Sequence, residues 1–211
     1  NFYKKVQNGF LKLAKKNNKK YMIVDSNQEI ELNKILIIDK IDKLLIRKAF
    51  NLSVEAHSNQ RRKTGEPYIF HPISVAKIVA NEIGLGAVSI VAALLHDVVE
   101  DTKYTINDIE QLFGETVARI VSGLTKISSL KKDKDHSIQA ENFRKMLLTL
   151  HDDVRVILIK VADRLHNMQT MDAMPAHKQV KIASETLYIY APLAHRLGLY
   201  NIKTELEDLG L

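Results

Sequence analysis

The sequence predicts an all-α protein, on three observations. Apolar residues recur at spacings of three and four along most of its 211 residues, the mark of amphipathic helices. Eight glycines and four prolines are too few for a turn-rich all-β chain. Hydrophobic residues make up 45% and charged residues 27%, which suits a packed core and excludes a disordered chain. The expected organisation is a Lys-rich helical appendage over residues 1–40 and one helical domain over residues 41–211.

Each element follows from local pattern. Phe2, Val6, Phe10 and Leu13 predict a short helix over 2–14, and Tyr21 to Val24 is an apolar run that reads as extended. A helix is expected from Gln28 to about His57, broken near Asp39, with Ile41, Leu44, Leu45, Ala49 and Leu52 on its buried face. Ser58 to Pro67 contains no apolar residue and is punctuated by Gly65 and Pro67, so it reads as a basic loop. Pro72 suits the first turn of a helix running to about Ile83 and stopped by Gly84. Ala87 to Val99 is almost wholly apolar and predicts one helix buried on most sides. Thr105 is an N-cap for a helix that Gly114 ends, and residues 115–128 form the next. Lys131 to Asp135 is a charged run expected in a mobile loop, with helices at about 138–151, 153–170, 176–191 and 200–209.

Composition narrows the chemistry. There is no cysteine, so disulfides, thiolate zinc sites and thiol nucleophiles are excluded, and a metal would have to be held by histidines and carboxylates. No run of about 18 apolar residues is present to span a membrane, and the first residues lack an apolar signal segment. A cytoplasmic location is therefore expected. The net charge is +6, but the first 20 residues carry seven lysines and no acid, so the other 191 residues sum to −1. The body thus has no strong nucleic-acid signal. The basic segment reads as a solvated helix face, with an acidic partner or RNA as the other reading.

Ionisable groups inside apolar helices are costly without a reason. His96 and Asp97 close the most apolar stretch, and Asp163 sits within Val154 to Asp163. With His71 at a helix start they make two imidazoles and two carboxylates, a donor set that suits a divalent transition ion such as Mn, Fe or Zn. The separations, 25 residues from His71 to His96 and 66 from Asp97 to Asp163, require three helices to converge. Glu100 and Asp101 follow Asp97 by three and four residues and share its helical face. Each residue alone also fits a structural role: His96 bonded to a carbonyl, Asp97 or Asp163 paired with Arg164 or Arg196.

The flanking sequences add a family resemblance. His71, then His96-Asp97, then a distant Asp follows the order of the HD metallophosphohydrolase superfamily. Arg62-Lys63-Thr64-Gly65-Glu66-Pro67-Tyr68-Ile69-Phe70-His71-Pro72 resembles the first motif of the Rel/Spo (RelA/SpoT homologue) alarmone hydrolases. Ala93 to Thr102 resembles their second motif, Val161 to Met168 their third, and Tyr190 to Gly198 the stretch leading out of their hydrolase domain. The resemblance covers about residues 41–209.

It implies an HD-domain helical bundle that removes the 3′-pyrophosphate of (p)ppGpp, giving GDP or GTP and pyrophosphate, with Mn²⁺ as the usual ion and a role in the stringent response. By position, His71, His96, Asp97 and Asp163 match the metal ligands, and Glu100 and Asp101 the acidic pair that activates or orients water. Arg62 matches a basic residue near the site, Lys63 and Thr64 match nucleotide contacts, and Asn167 and Thr170 match positions that recognise guanosine. Lys126 and Lys160 read either as phosphate contacts or as ordinary solvated lysines, and His166 either as support for a ligand or as packing. His57, His136, His151, His177 and His195 read as structural or solvated. Two positions depart from many relatives, Gln169 where they carry Arg and Thr204 where long members carry an aromatic. The resemblance implies synthetase and regulatory domains in the full-length protein, and the sequence here contains no synthetase motif. The alternatives are a catalytically silent nucleotide-sensing HD domain and an HD phosphohydrolase for another nucleotide.

Overall fold

The structure, a computed structural model, describes residues 2–17, 21–24, 30–130 and 153–211. The expected loops at 131–135 and helix at 138–151, with His136 and His151, lie outside the described residues. The chain divides into two compact units, Asn1–Asp42 and Lys43–Leu211. The first unit holds helix α1 (Phe2–Lys16) and the start of α2 (Ile30–Ala56), which runs without a break at Asp39. Tyr21 to Val24 forms no regular element.

In the second unit, α2 contributes Ala49, fully buried, with Leu45 and Leu52 half-buried beside it. Leu44, expected on that face, is 53% exposed, because the buried stripe runs through Ala49 and Ser53. After the loop come α3 (Phe70–Asn81), α4 (Ala87–Leu94), α5 (Val98–Asp101), α6 (Ile106–Phe113) and α7 (Glu115–Leu130). Then follow α8 (Val154–Gln169), a 3-10 turn at Met171–Ala173, α9 (Ala176–Glu185), a π turn at Thr186–Tyr190, α10 (Ala191–Arg196) and α11 (Tyr200–Asp208). No strand occurs among the described residues; the sole extended pairing there is an isolated bridge between Arg61 and Pro67.

Helix α8 is the hub. It packs against α3, α4, α7 and α11. Val75 and Val79 of α3, Ala92 of α4, Ile120 and Leu124 of α7, and Ile157, Val161 and Leu165 of α8 are all fully buried. Burying side chains of this size stabilises by about 1.5–3 kcal/mol each against exposure. Gly123 allows α7 and α8 to approach closely: a Cβ there would sit 2.8 Å from Val156 Cγ2. Thr105 caps α6 through a capping box with Asp108, as a Thr followed three residues later by an acid can.

Two irregularities shape the site. The stretch predicted as one helix from Ala87 to Val99 unwinds at Leu95, His96 and Asp97, and the backbone turns before α5. The predicted helix 176–191 passes through the π turn, where Thr186 donates to Ile182 O at 2.7 Å. That turn sets the Tyr190 ring 4.3 Å from the Arg164 guanidinium, while Arg164 pairs with Glu185 at 2.9 Å. Arg164 thus ties α8 to α9 and the π turn, and Asp163, its neighbour, is not its partner.

Candidate metal centre

Helices α3 and α8 and the break between α4 and α5 bring four side chains together. His71, in the first turn of α3, and His96 are 2% and 1% exposed. Donor atoms of His71, His96 and Asp97 lie within 4.8 Å of one another. Asp163 Oδ1 reaches His71 Nε2 at 3.2 Å and His96 Nε2 at 3.8 Å. In a continuous helix His96 and Asp97 would diverge by about 100°; the break lets both face one point.

The donor chemistry fits a cation. His96 Nδ1 lies 2.8 Å from Ala93 O. A carbonyl can only accept, so Nδ1 carries the hydrogen. Nε2 is then left buried with no hydrogen bond, 2.9 Å from Asp97 Oδ2. A lone pair against a carboxylate oxygen is repulsive unless a positive charge lies between them. Without an ion, a proton does that work: burial opposes charge on His96, but Asp97 and Asp163 raise its pKa. Burial likewise favours the neutral form of Asp97, yet His96 holds its pKa well below the ordinary value. His71 behaves differently, its pKa being lowered by burial despite Asp163. As a neutral ring it has one nitrogen lone pair to offer an ion.

Supporting contacts orient the donors. His71 Nδ1 lies 2.8 Å from His166 Nδ1. Burial, then the charges of His71 and Arg62, lower the His166 pKa to about 4. If His71 gives its Nε2 lone pair to an ion, its hydrogen lies on Nδ1, and a neutral His166 would accept it and hold that tautomer. Asp163 is held at both oxygens, by Lys160 Nζ at 3.1 Å on Oδ2 and by Asn167 Nδ2 at 2.7 Å on Oδ1. Lys160 is 5% exposed, so neither of its expected roles, phosphate contact or solvated lysine, matches its place in the structure. The Asp163 carboxyl, which burial would push up, is kept well below its usual range by Lys160 and the two imidazoles.

A cavity of about 340 Å³ opens over this cluster. It is lined by His71, Asp97 and Asp163, by Glu100 and Asp101 of α5, and by Arg62, Asn167, Tyr68 and Ser128. Burial, then Asp97 and Glu100, raise the Asp101 pKa. The basic loop is folded by short-range bonds: Arg62 N donates to Glu66 O and Gly65 N to Arg62 O, both at 2.9 Å. Gly65 takes φ 88° there, which a side chain would disfavour. Arg62 turns inward, donating to Asn167 Oδ1 at 2.8 Å and Thr170 Oγ1 at 3.1 Å. Lys63 and Thr64 are exposed at the tip of the loop and do not line the cavity. Lys126 is exposed on α7, also outside the lining.

A family model for the HD domain matches residues 49–200. The chain belongs to the HD-domain family. It is 50% identical over 190 residues to the bifunctional (p)ppGpp synthase/hydrolase SpoT of Escherichia coli strain K12, covering 90% of this chain and 26% of that protein. It is 52% identical over 165 residues to guanosine-3′,5′-bis(diphosphate) 3′-pyrophosphohydrolase of Vibrio cholerae, covering 78% of this chain and 23% of the relative. The chain thus spans about a quarter of the length of these curated relatives. A solved structure described as a metazoan ortholog of SpoT that hydrolyzes ppGpp and plays a role in starvation responses superposes with a TM-score of 0.61 at 27% identity. The match covers 78% of this HD-domain chain and 93% of the other. No described helix is long and apolar enough to cross a membrane.

Three residues at this HD-domain site escape a reading of pattern alone, while His166, read above as support for a ligand or as packing, lies against His71. Tyr68 is a loop aromatic with no periodicity to mark it. Ser128 is a small polar residue on an amphipathic helix. Lys160 looks like any lysine three residues from an acid, and only tertiary packing buries it. His166 carries a weak signal, its i+3 position from Asp163 on the same helix.

Proposed function

We propose that this HD domain, residues 41–211, hydrolyses the 3′-pyrophosphate of (p)ppGpp to GDP or GTP and pyrophosphate, with Mn²⁺ held by His71, His96, Asp97 and Asp163. The observation that carries the reading is His96 Nε2, buried without a hydrogen bond and 2.9 Å from Asp97 Oδ2, beside a cavity lined by the Glu100 and Asp101 carboxylates and Arg62. The names of the relatives support the substrate. The same reading includes a Lys-rich helical appendage over residues 1–40 and a cytoplasmic role in the stringent response.

When bound, the ion supplies Lewis acidity toward a phosphoryl oxygen and lowers the pKa of bound water. The protein's own groups do the rest. Glu100 and Asp101 orient the attacking water and accept its proton as its oxygen bonds to phosphorus. The bond from phosphorus to the ribose 3′-oxygen breaks, and that oxygen takes up a proton. Arg62, already fixed between Asn167 and Thr170, offers a guanidinium to phosphate oxygens, while Asn167 and Thr170 meet the guanosine. Lys63 and Thr64, exposed on the same loop, contact the nucleotide at the mouth of the cavity.

The test is pyrophosphate release from ppGpp by the purified protein with Mn²⁺ and with EDTA. Release with Mn²⁺ only is expected. Nucleotide binding with no release in either condition would replace this reading with a silent sensing domain, and release from other nucleotides alone would change the substrate.

A further inference from the structure

Tyr68 occupies a position that neither its loop nor its chemistry explains as packing. Its backbone N–H donates to Gln60 O at 3.1 Å. Its ring lies 4.7 Å from His57 and edge-on to His71 at 5.9 Å, centroid to centroid. Clamped in this way, the ring delivers its hydroxyl into the cavity, 2.6 Å from Asp97 Oδ2 and 3.3 Å from Asp101 Oδ2. Asp97 Oδ2 is the same atom that faces His96 Nε2 at 2.9 Å and His71 Nε2 at 3.7 Å.

A phenol has one hydrogen to give, and here two carboxylates stand within reach. With no ion in the cluster, the shorter contact places that hydrogen on Asp97. A cation on Asp97 Oδ2 competes for the lone pairs of that oxygen and repels the phenolic hydrogen. Asp101 Oδ2, already adjacent, is then the better acceptor. We infer that Tyr68 is a positioning residue whose hydroxyl passes its hydrogen bond from Asp97 to Asp101 when a divalent cation binds. Asp101 is on the short helix α5 and exposed over much of its surface, so it needs such a tie to face the cavity. Cation binding thereby orders the carboxylate that works on water. This rests on the hydrolytic reading of the site.

Tyr68→Phe keeps the ring against His57 and His71 and removes only the hydroxyl. The first measurement needs no turnover: tyrosine near-ultraviolet difference absorbance on adding Mn²⁺ or Mg²⁺ to metal-free protein. A difference signal is expected in the wild type, absent in Tyr68→Phe and altered in Asp101→Asn. The second is Mn²⁺ affinity by equilibrium dialysis without nucleotide, expected to change by less than about threefold in Tyr68→Phe, since in the cation-bound state the hydroxyl no longer bonds Asp97. The third is kinetics with ppGpp: kcat falling by about tenfold or more with KM held, and Tyr68→Phe costing less than about twofold in an Asp101→Asn background.

A wild type that binds the cation without a Tyr68-dependent signal overturns the inference. So does an unchanged kcat, a kcat that falls in step with metal affinity, or an equal cost in both backgrounds. A wild type that shows the signal and releases no pyrophosphate overturns the hydrolase reading and leaves the hydrogen-bond transfer standing.

Discussion

His96 Nε2 lies 2.9 Å from Asp97 Oδ2 while the other ring nitrogen of His96 is spent on Ala93 O. The two residues are neighbours in sequence, and they meet only because the helix opens at Leu95. A cation held by both residues would take the place of the proton that otherwise separates them. Asp97→Asn replaces one of those donors by an amide, whose N–H can satisfy His96 Nε2. The expected outcome is loss of Mn²⁺ binding with little loss of fold. In thermal or denaturant melts, wild-type protein at an ion concentration 100 times Kd gains about 2.7 kcal/mol, and Asp97→Asn gains nothing. An equal gain in the variant would remove Asp97 from the ligand set.

Lys160 is buried against Asp163 Oδ2 at 3.1 Å. Taking the cation away leaves a buried carboxylate short of its main counter-charge, a change that costs about 3–5 kcal/mol. Lys160→Met should therefore destabilise the metal-free protein by that order, and Mn²⁺ should restore part of the loss, because the ion supplies positive charge to the same carboxylate. Urea melts with and without Mn²⁺ measure both. A loss that is the same in each condition would mean that Lys160 acts through packing alone.

His166 tests the tautomer argument. His166→Leu removes the acceptor for His71 Nδ1–H and should weaken Mn²⁺ binding by about 10–100-fold. His166→Gln keeps an acceptor oxygen and should recover most of the affinity. Equal weakening in both variants would show that ring packing, not the hydrogen bond, matters.

How these residues could be found differs from one to the next. His96, Asp97 and Asp163 stood out because charge-bearing groups in apolar helical sequence violate the ordinary burial rule, His71 joined them as an imidazole at a helix start, and the structure brings all four together. Helices that bury one stripe were legible from period alone: Ile157, Val161 and Leu165 on α8 are spaced by four. The break at Leu95–Asp97 was not, because no glycine or proline marks it. Arg62 was legible as a cation on a loop, but its bonds to Asn167 and Thr170, more than 100 residues away, are tertiary. Lys160 and Tyr68 were illegible for the same reason. Burial of a lysine and the aim of a loop aromatic are decided by neighbours distant in sequence.

The pH dependence of the metal-free protein carries the last prediction. Burial, reinforced by the charges of His71 and Arg62, puts the folded-state pKa of His166 at about 4, below its ordinary value of 6.5. Between those two values the unfolded chain binds a proton that the folded protein refuses. Stability contributed by neutral His166 is thus complete above about pH 6.5 and is lost as pH falls toward 4. His96 has the opposite sign, since its raised pKa gives stability below 6.5 that is lost as pH rises through the folded value. The two are separated by substitution. His166→Gln removes the first contribution and leaves the second, so the difference in melting temperature between wild type and variant should shift in the variant's favour from pH 7 to pH 4.5. A difference that stays constant over that range would show that His166 keeps an ordinary pKa in the folded protein.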